Sequence, residues 1–410
     1  MKILFVVNEV PYPPDNGVKI VSFNAMRLMK DAGHDVALAV LTEDTDNLEH
    51  RLSYFDDYCS TNNKFCMVLP QKNKVLLLLK SIFKRSIYPV ERYNNNEFRA
   101  KLNSLVSDFK PDVIHFDIIT MVQYFDVAGS DVAKIASIND SYSLTLQNLF
   151  SSNQLHGLSY FYRKFQLLLT KHYESTIYKN FDYVHLMTDI DANFINELNS
   201  NIRTFVIPNG VNKALFDLAN SNIDNSHVVF VAKLVGENVA SLEKFIEFSW
   251  PQVHEAFPEL NLRIVGKLGE EAIRLKVLYD KSDGVEFVGY VENLEDAYSE
   301  CGIAIVPINK NCGLINKAIE AMASGLVAVG FEKTFTSLSK AKKYTHFVTA
   351  KNYEDMGRVI IDLLGDHVLT KNIKLEAHQY ALDNYSWDSR SNDYESMYKS
   401  AIKNRSYNVS

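Results

Sequence analysis

The sequence predicts an α/β protein built from two open, parallel-sheet domains in series. Three observations carry that reading. Apolar runs rich in β-branched residues recur along the chain, each followed by a helix-length stretch, as buried parallel strands require. The series starts twice, once at Lys2 and again at His227. The 410 residues suffice for two or three domains.

The first series opens at Lys2–Val7 (KILFVV), a strand buried on both faces. A Pro-rich loop and Gly17 lead into a helix over Ile20–Met29, ended by Gly33, and Asp35–Leu41 is the next strand. This βαβ opening builds doubly wound sheets. Pro111–Phe116, Ala133–Ile138 and Tyr183–Met187 continue it. The stretch Asn199–Asn225, with Pro208, Gly210 and a polar run, reads as the linker between domains at 1–200 and 205–388. The second series has strands at His227–Ala232, Leu260–Val265, Val285–Val288, Ile303–Val306 and Leu326–Val329, with a helix over Ala240–Phe257. Thr370–Tyr385 and Ser389–Lys403 are helical and lie beyond the last strand signal. Ligands of open α/β sheets sit outside the carboxyl ends of the strands, so a cleft between two facing domains is the expected site.

Composition narrows the function. Lys and Arg number 43 against 50 Asp and Glu, a net charge of −7, which disfavours a protein that coats nucleic acid. Hydrophobic residues at 47% and charged residues at 23% exclude collagen, coiled coil and wholesale disorder. Four scattered cysteines, Cys59, Cys66, Cys301 and Cys312, form neither a disulfide framework nor a zinc motif, and a reducing cytoplasm is the simplest compartment. The first apolar run stops at Asn8, too short for a signal peptide, and no stretch reaches the roughly 18 apolar residues of a membrane span.

Several motifs carry chemistry. In Pro13–Lys19 a single glycine, Gly17, precedes a helix whose free N–H groups suit a phosphate; a plain turn is the alternative. Cys312–Gly325 is a loop with Gly313 followed by a helix, and N–H groups near Gly313, Leu314 and Ile315 suit a diphosphate. Glu320, placed about two turns into that helix, shares a face with Asn316 and Lys317, and its carboxylate can accept both hydroxyls of a ribose or simply pair with Lys317. Lys233, at the end of the second domain's first strand, suits a phosphate or is a solvated surface lysine. His115 and Asp117 end a strand in the first domain, as Asn139-Asp140-Ser141 ends the next; such groups suit acid/base work or recognition of substrate hydroxyls, and a lone histidine there also fits a structural role. His34, in a helix-to-strand turn at the opposite edge, reads as structural. Thr188-Asp189-Ile190-Asp191 looks like a metal pair but reads better as a helix cap, with no metal site.

In order along the chain, PYPPDNGVK, AGHDV, PDVIH, YVHLMTDIDANFI, IPNGVN, FVAKL, LNLRIVG, VEFVGYVENLEDAYSECGIAIVPI, GLINKAIEAMASGLVAVG and YSWD resemble retaining glycosyltransferases of family 4. The resemblance implies two Rossmann-like domains facing across a cleft, the GT-B fold, with the final helix, 389–404, crossing back to the first domain. It implies a nucleotide-sugar donor, bound as substrate by the second domain with no further cofactor, and a glycan or lipid-linked acceptor at the first. On that reading the diphosphate lies between Gly17 and the 313–315 loop, Lys233 meets the phosphates, Glu320 holds the ribose, and Asp117 and Asp140 orient acceptor hydroxyls with His115 behind them. Cys312 stands where the family often has a first Glu, Ala232-Lys233 where it has Gly-Arg, and 235–238 lacks the second base. A nucleotide-sugar epimerase on the same scaffold, and a donor-binding protein that has lost turnover, remain alternatives.

One stretch bears on location. No acid occurs from Tyr58 to Val90, and within Lys74–Arg85 (KVLLLLKSIFKR) Val75, Leu76, Leu78, Leu79, Ile82 and Phe83 form an apolar arc with Lys80 and Lys84 opposite. The helix either packs its leucines on the sheet or lies on an anionic membrane, which would place the protein at the inner face of the cell membrane.

Overall fold

A computed structural model describes residues 1–150, 158–222, 227–308 and 314–409. The chain forms two compact units, Met1–Pro208 with Arg390–Ser410, and Asn209–Ser389. In the first, seven strands are β1 (Lys2–Val7), β2 (Asp35–Thr42), β3 (Lys64–Val68), β4 (Val113–Asp117), β5 (Ala133–Asn139), β6 (Tyr183–Leu186) and β7 (Thr204–Val206). In the second they are β8 (His227–Val231), β9 (Leu262–Val265), β10 (Val285–Gly289), β11 (Cys301–Val306), β12 (Val327–Phe331) and β13 (Val348–Ala350). The sheet orders are β3-β2-β1-β4-β5-β6-β7 and β10-β9-β8-β11-β12-β13. Every pairing within them is parallel.

The strands read from apolar runs are present because helices cover both sheet faces. In β1, Ile3 to Val7 are all buried. Leu4 and Val6 share a core with Phe98, Leu102 and Phe109 of the Asn96–Phe109 helix. Three differences from expectation have physical causes. The edge strands β3, β7 and β13 were not read; two have only three residues, and β3 is half-exposed rather than continuously apolar. The supposed linker therefore holds a strand, β7, and its last part, 223–225, lies outside the described residues. The single helix expected over Ala240–Phe257 is two, Glu237–Phe248 and Trp250–Ala256. Pro251 cannot donate to the preceding turn, so the chain restarts at Ser249, whose hydroxyl donates to Tyr353 O at 2.6 Å.

The Trp387–Val409 helix begins in the second unit, and from Arg390 onward it belongs to the first. There Tyr398 hydrogen-bonds His115 Nδ1 at 2.8 Å, Glu395 meets His34 Nε2 at 2.7 Å, and Arg405 Nε donates to Asp182 at 2.9 Å. His34 is thus a structural clamp. Where this helix starts, the IPNGV and YSWD motifs meet: a Cβ on Gly210 would lie 2.4 Å from the Trp387 ring, so only glycine fits.

The Lys74–Phe83 helix does not pack its leucines on the sheet. Leu77 and Ser81 are buried, while Val75, Leu76, Leu79, Ile82 and Phe83 are exposed. Lys84 is tied to the buried carboxylate of Glu91 at 3.1 Å. Among the described residues no helix is long and apolar enough to cross a membrane.

Tyr398→Phe removes the hydroxyl that serves the fully buried His115 ring. The loss should cost about 1–3 kcal/mol, the price of an unmet buried polar atom. Urea unfolding measures it; an unchanged midpoint would show that the bond contributes nothing.

Candidate active site

Both sheets reverse their strand order once, at β1/β4 and at β8/β11. Connections leave a reversal in opposite directions, opening a crevice at the strands' carboxyl ends. Of the expected site residues, Gly17 and Asp117 lie at the first, Lys233, Leu314, Ile315, Asn316, Lys317 and Glu320 lie at the second, and Asp140 follows the neighbouring strand β5.

In the second unit, β8 runs out into Lys233, which is exposed, and β11 leads towards the Asn316–Ala323 helix. That helix starts at Asn316, so Glu320 lies little more than one turn in, not two. Among the described residues no side chain caps its N-terminus; Asn316 N and Ala318 N donate to Leu314 O and Ile315 O at 3.1 and 3.0 Å, and Leu314 and Ile315 are half-buried. Cys312 and Gly313 lie outside the described residues. Asn209 of IPNGVN donates to Asn316 Oδ1 at 3.1 Å. Asn238 joins the two sides of the crevice: its amide donates to Lys233 O at 2.9 Å, and its oxygen accepts from Lys317 Nζ at 3.3 Å. Lys317 Nζ also stands 5.8 Å from the centre of the Phe230 ring. Lys317 therefore stands beside the β8 loop, which brings no base of its own between residues 235 and 238. Gly266, just past β9, has φ +141°, and a Cβ there would stand 1.8 Å from Ala232 O; its backbone must press against the end of β8.

Glu320 accepts from the Tyr298 hydroxyl at 3.0 Å. Burial raises its pKa, and the Tyr298 bond and the Lys317 charge oppose that rise. Asn209, Asn238 and Tyr298 were not among the expected site residues. IPNGVN was legible as a motif, but nothing local links Tyr298 to a carboxylate 22 positions away.

In the first unit, Gly17 begins the Gly17–Asp31 helix after β1, exposed and with open space where a Cβ would stand. The Asn16 side chain accepts from Lys19 N at 3.0 Å. Ser22, on the same helix, donates to Asp117 Oδ2 at 2.6 Å. Asp117 Oδ1 is buried without a partner among the described residues, as are Asn8 Oδ1, Thr120 Oγ1 and Asn139 Oδ1. These atoms sit at or just past the ends of β1, β4 and β5, and the two amide oxygens, of Asn8 and Asn139, can only accept. The backbone is strained at the same edge: Ile118, a β-branched residue, has φ +50°, and Asn139 has φ +64°. Burial drives the Asp117 pKa up to about 7. Asp140 keeps an exposed surface, yet the protein around its carboxyl, and then the charge of Asp191, raises it to about 7.

His115 does not reach this edge. It is fully buried against Tyr398, and burial holds its pKa well below the usual imidazole value. It is a neutral packing group beneath the terminal helix. The Thr188 hydroxyl accepts from Asp191 N at 3.1 Å, as expected of a cap.

Residues 225–366 match a family model described as glycosyl transferases group 1. Curated protein sequences give no match. Among solved structures, HepE of Anabaena in complex with UDP superposes with a TM-score of 0.66 at 13% identity, over 98% of this chain and 100% of that one. A sucrose-phosphate synthase of Thermosynechococcus elongatus gives 0.69 at 16%, over 97% and 98%. The pneumococcal O-GlcNAc transferase GtfA, with UDP and GlcNAc, gives 0.65 at 11%, over 99% of each chain. The chain has the GT-B fold.

The raised Asp117 pKa makes a signed prediction. The native carboxyl, at about 7 against an ordinary 3.8, keeps a proton that the unfolded chain releases. Its contribution to stability is therefore greatest below about pH 4 and is lost as pH rises towards 7. Asp117→Asn does not titrate, so its stability relative to wild type should improve by a few kcal/mol between pH 4.5 and 7.5. Paired urea titrations at the two pH values test this; a constant difference contradicts it.

Proposed function

We propose that the protein is a retaining glycosyltransferase that moves a sugar from a nucleotide-sugar donor to a glycan or lipid-linked acceptor in cell-surface polysaccharide or glycoconjugate synthesis. The observation that carries this reading is the β8/β11 crevice, where Lys317 at the start of its helix and the end of β8 meet around Asn238, with Glu320 held one turn further along. A diphosphate needs N–H donors and cations, and a ribose diol needs a carboxylate; all are within one helix and one strand end. UDP in HepE and in GtfA supports a nucleotide donor.

In the first unit the unpartnered acceptors at the strand ends suit the hydroxyl donors of a sugar, with Asp117 and Asp140 orienting them. Retention then needs no protein nucleophile. As the bond from the anomeric carbon to the diphosphate breaks, the acceptor oxygen forms the new bond on the same face, and its proton passes to the leaving phosphate. Lys233, Lys317 and the helix N-terminus stabilise the charge that develops there, so no divalent metal is required.

The exposed apolar arc of the Lys74–Phe83 helix and its lysines support a cytoplasmic enzyme held at the inner face of the membrane. A lipid-linked acceptor would be met there by the unit that carries the strand-end acceptors.

Thermal shift against UDP-, GDP-, dTDP- and ADP-sugars tests donor binding. A true donor at a hundredfold excess over Kd should stabilise the protein by about 2.7 kcal/mol. Glu320→Gln, which keeps a partner for Tyr298, should lower donor affinity on the order of a hundredfold, since bonds to a charged acceptor are worth about 1.5–3 kcal/mol each. Full affinity in that variant, or transfer that EDTA abolishes and manganese restores, would be incompatible with this site.

Flotation with vesicles tests location. The wild type should float with anionic vesicles, and Lys80→Glu with Arg85→Glu should reduce flotation, since each basic residue at such a surface contributes about 1 kcal/mol. Lys84 is left intact because it neutralises Glu91. Equal flotation of wild type and variant would remove the electrostatic part of this reading.

A further inference from the structure

Fifty acids are spread over 410 residues, yet none lies between Tyr58 and Val90 and none between Ser141 and Tyr173. The fold brings these two stretches together. The Lys74–Phe83 helix and the start of the Tyr88–Arg92 helix come from the first, and the Tyr142–Phe150 helix and most of the Leu158–Ile177 helix from the second; the acids that end the two stretches, Glu91 and Glu174, are both buried. Between them lies a cavity of about 230 Å³, lined chiefly by Leu78, Ile82, Ile87, Leu146, Phe165 and Leu169.

The few polar groups in the lining are largely used. Ser81 and Thr170 donate to Leu78 O and Gln166 O at 2.7 and 2.8 Å, and Gln166 Nε2 donates to the Tyr162 hydroxyl at 2.9 Å. Gln166 Oε1 remains a buried acceptor without a partner among the described residues. The walls are tied to each other. Glu174 of the Leu158–Ile177 helix accepts from the backbone N–H groups of Tyr142 and Ser143, at 2.9 and 3.3 Å, and so caps the helix opposite.

The rim is apolar, aromatic and basic. Phe83 is 86% exposed, Phe161 69% and Leu168 60%. Tyr160, Phe161, Tyr162, Arg163, Lys164 and Phe165 (YFYRKF) are all exposed on consecutive positions. Among the described residues no ion pair engages Lys74, Lys80 or Arg85. A patch of large apolar side chains edged by cations, with its nearby acids Glu91 and Glu174 buried, complements an anionic bilayer, whose interface favours Tyr and Arg or Lys.

We propose that this cavity receives one hydrocarbon chain of a membrane lipid while the face around it rests on an anionic bilayer. The inference deepens the membrane-bound reading above and rests on it. Its size suits a slender guest: an apolar cavity of about 150 Å³ takes a benzene ring, whereas drug-sized ligands need about 300 Å³ or more. The absence of charge within the lining excludes the headgroup, which stays with the basic rim. The second helix, with its exposed aromatic turn, adds to the Lys74–Phe83 helix a contact that the amphipathic helix alone lacks.

The full-length wild type should be mixed with vesicles of phosphatidylcholine and phosphatidylglycerol that carry a trace of phospholipid with a diazirine in one acyl chain. Photolysis should label the cavity segments 78–89, 146 and 162–170. Label confined to the rim residues Phe83 and Phe161 overturns the chain site while leaving bilayer docking intact. A soluble probe, dansyl-undecanoic acid, should bind the wild type without vesicles. Leu146→Trp and Leu169→Trp, each filling the cavity, should weaken it about tenfold or more. The pair Phe83→Ser and Phe161→Ser, outside the cavity, should reduce flotation and leave probe affinity unchanged. Wild-type probe affinity in both Trp variants overturns the proposal, as does concentration-dependent dimerisation through this face in place of flotation. The nucleotide-sugar thermal shift on the same samples is independent of these outcomes, so failure of the lipid site and failure of the transferase reading are distinguishable.

Discussion

All-parallel pairing is the constraint on which the rest depends. Parallel neighbours cannot be joined by a tight turn, so each link must run back across a sheet face before the next strand begins. The carboxyl ends of all the strands in a unit therefore collect along one edge. Where the order reverses, at β1/β4 and β8/β11, neighbouring connections part and leave a crevice. Residues far apart in sequence meet there because the topology leaves them no other place: Ser22 with Asp117, and Lys317 with Asn238. The edge also bears the backbone cost of these sharp exits, at Ile118 and Asn139.

Two crevices of the same topology carry opposite chemistry. The β1/β4 edge presents buried acceptors, Asn8 Oδ1, Asp117 Oδ1 and Asn139 Oδ1. The β8/β11 edge presents cations and a helix start, Lys233, Lys317 and the first turn of the Asn316–Ala323 helix. Acceptors match hydroxyl donors, and cations match phosphates, so the difference between the units lies in their strand ends rather than in their sheets. Both edges hold a carboxyl out of water against its preference. Asp117 and Glu320 each gain a single hydroxyl bond, from Ser22 and Tyr298, which is too little to offset burial, and both pKa values rise. Such groups are held ready for a partner that the protein itself does not supply.

The sequence made the strands legible where burial on both faces forces a continuous apolar run, as in β1, β5 and β11. It was silent for β7 and β13, whose three residues carry no period, and it ran one helix through Pro251 because the apolar spacing continues past the break. The site followed the same rule. Lys233, Glu320 and Asp117 were readable because a polar group at a strand end or in a Gly-flanked helix is locally conspicuous. Their supports were not, since the contacts span 95 positions for Ser22 and Asp117 and 79 for Asn238 and Lys317. His115 shows the converse. Its place beside Asp117 suggested the edge, and only Tyr398, 283 positions on, decides that it lies under the terminal helix instead.

The Lys74–Phe83 helix marks the limit of periodicity as evidence. A wheel drawn from KVLLLLKSIF shows an apolar arc, but it does not say which side of the helix meets the core. Here the inward positions are Leu77 and Ser81, and the arc of Val75, Leu76, Leu79, Ile82 and Phe83 is outward. A helix that buries a serine and leaves a phenylalanine 86% exposed is ordered in reverse for water. Tyr162 and Phe165, on the helix across the same cavity, line it and are also exposed, so the reversal is not confined to one helix. In water each of those side chains forgoes about 1.5–3 kcal/mol of burial. The acids nearest to it in sequence, Glu91 and Glu174, are both buried, so the exposed side of this face is apolar and basic.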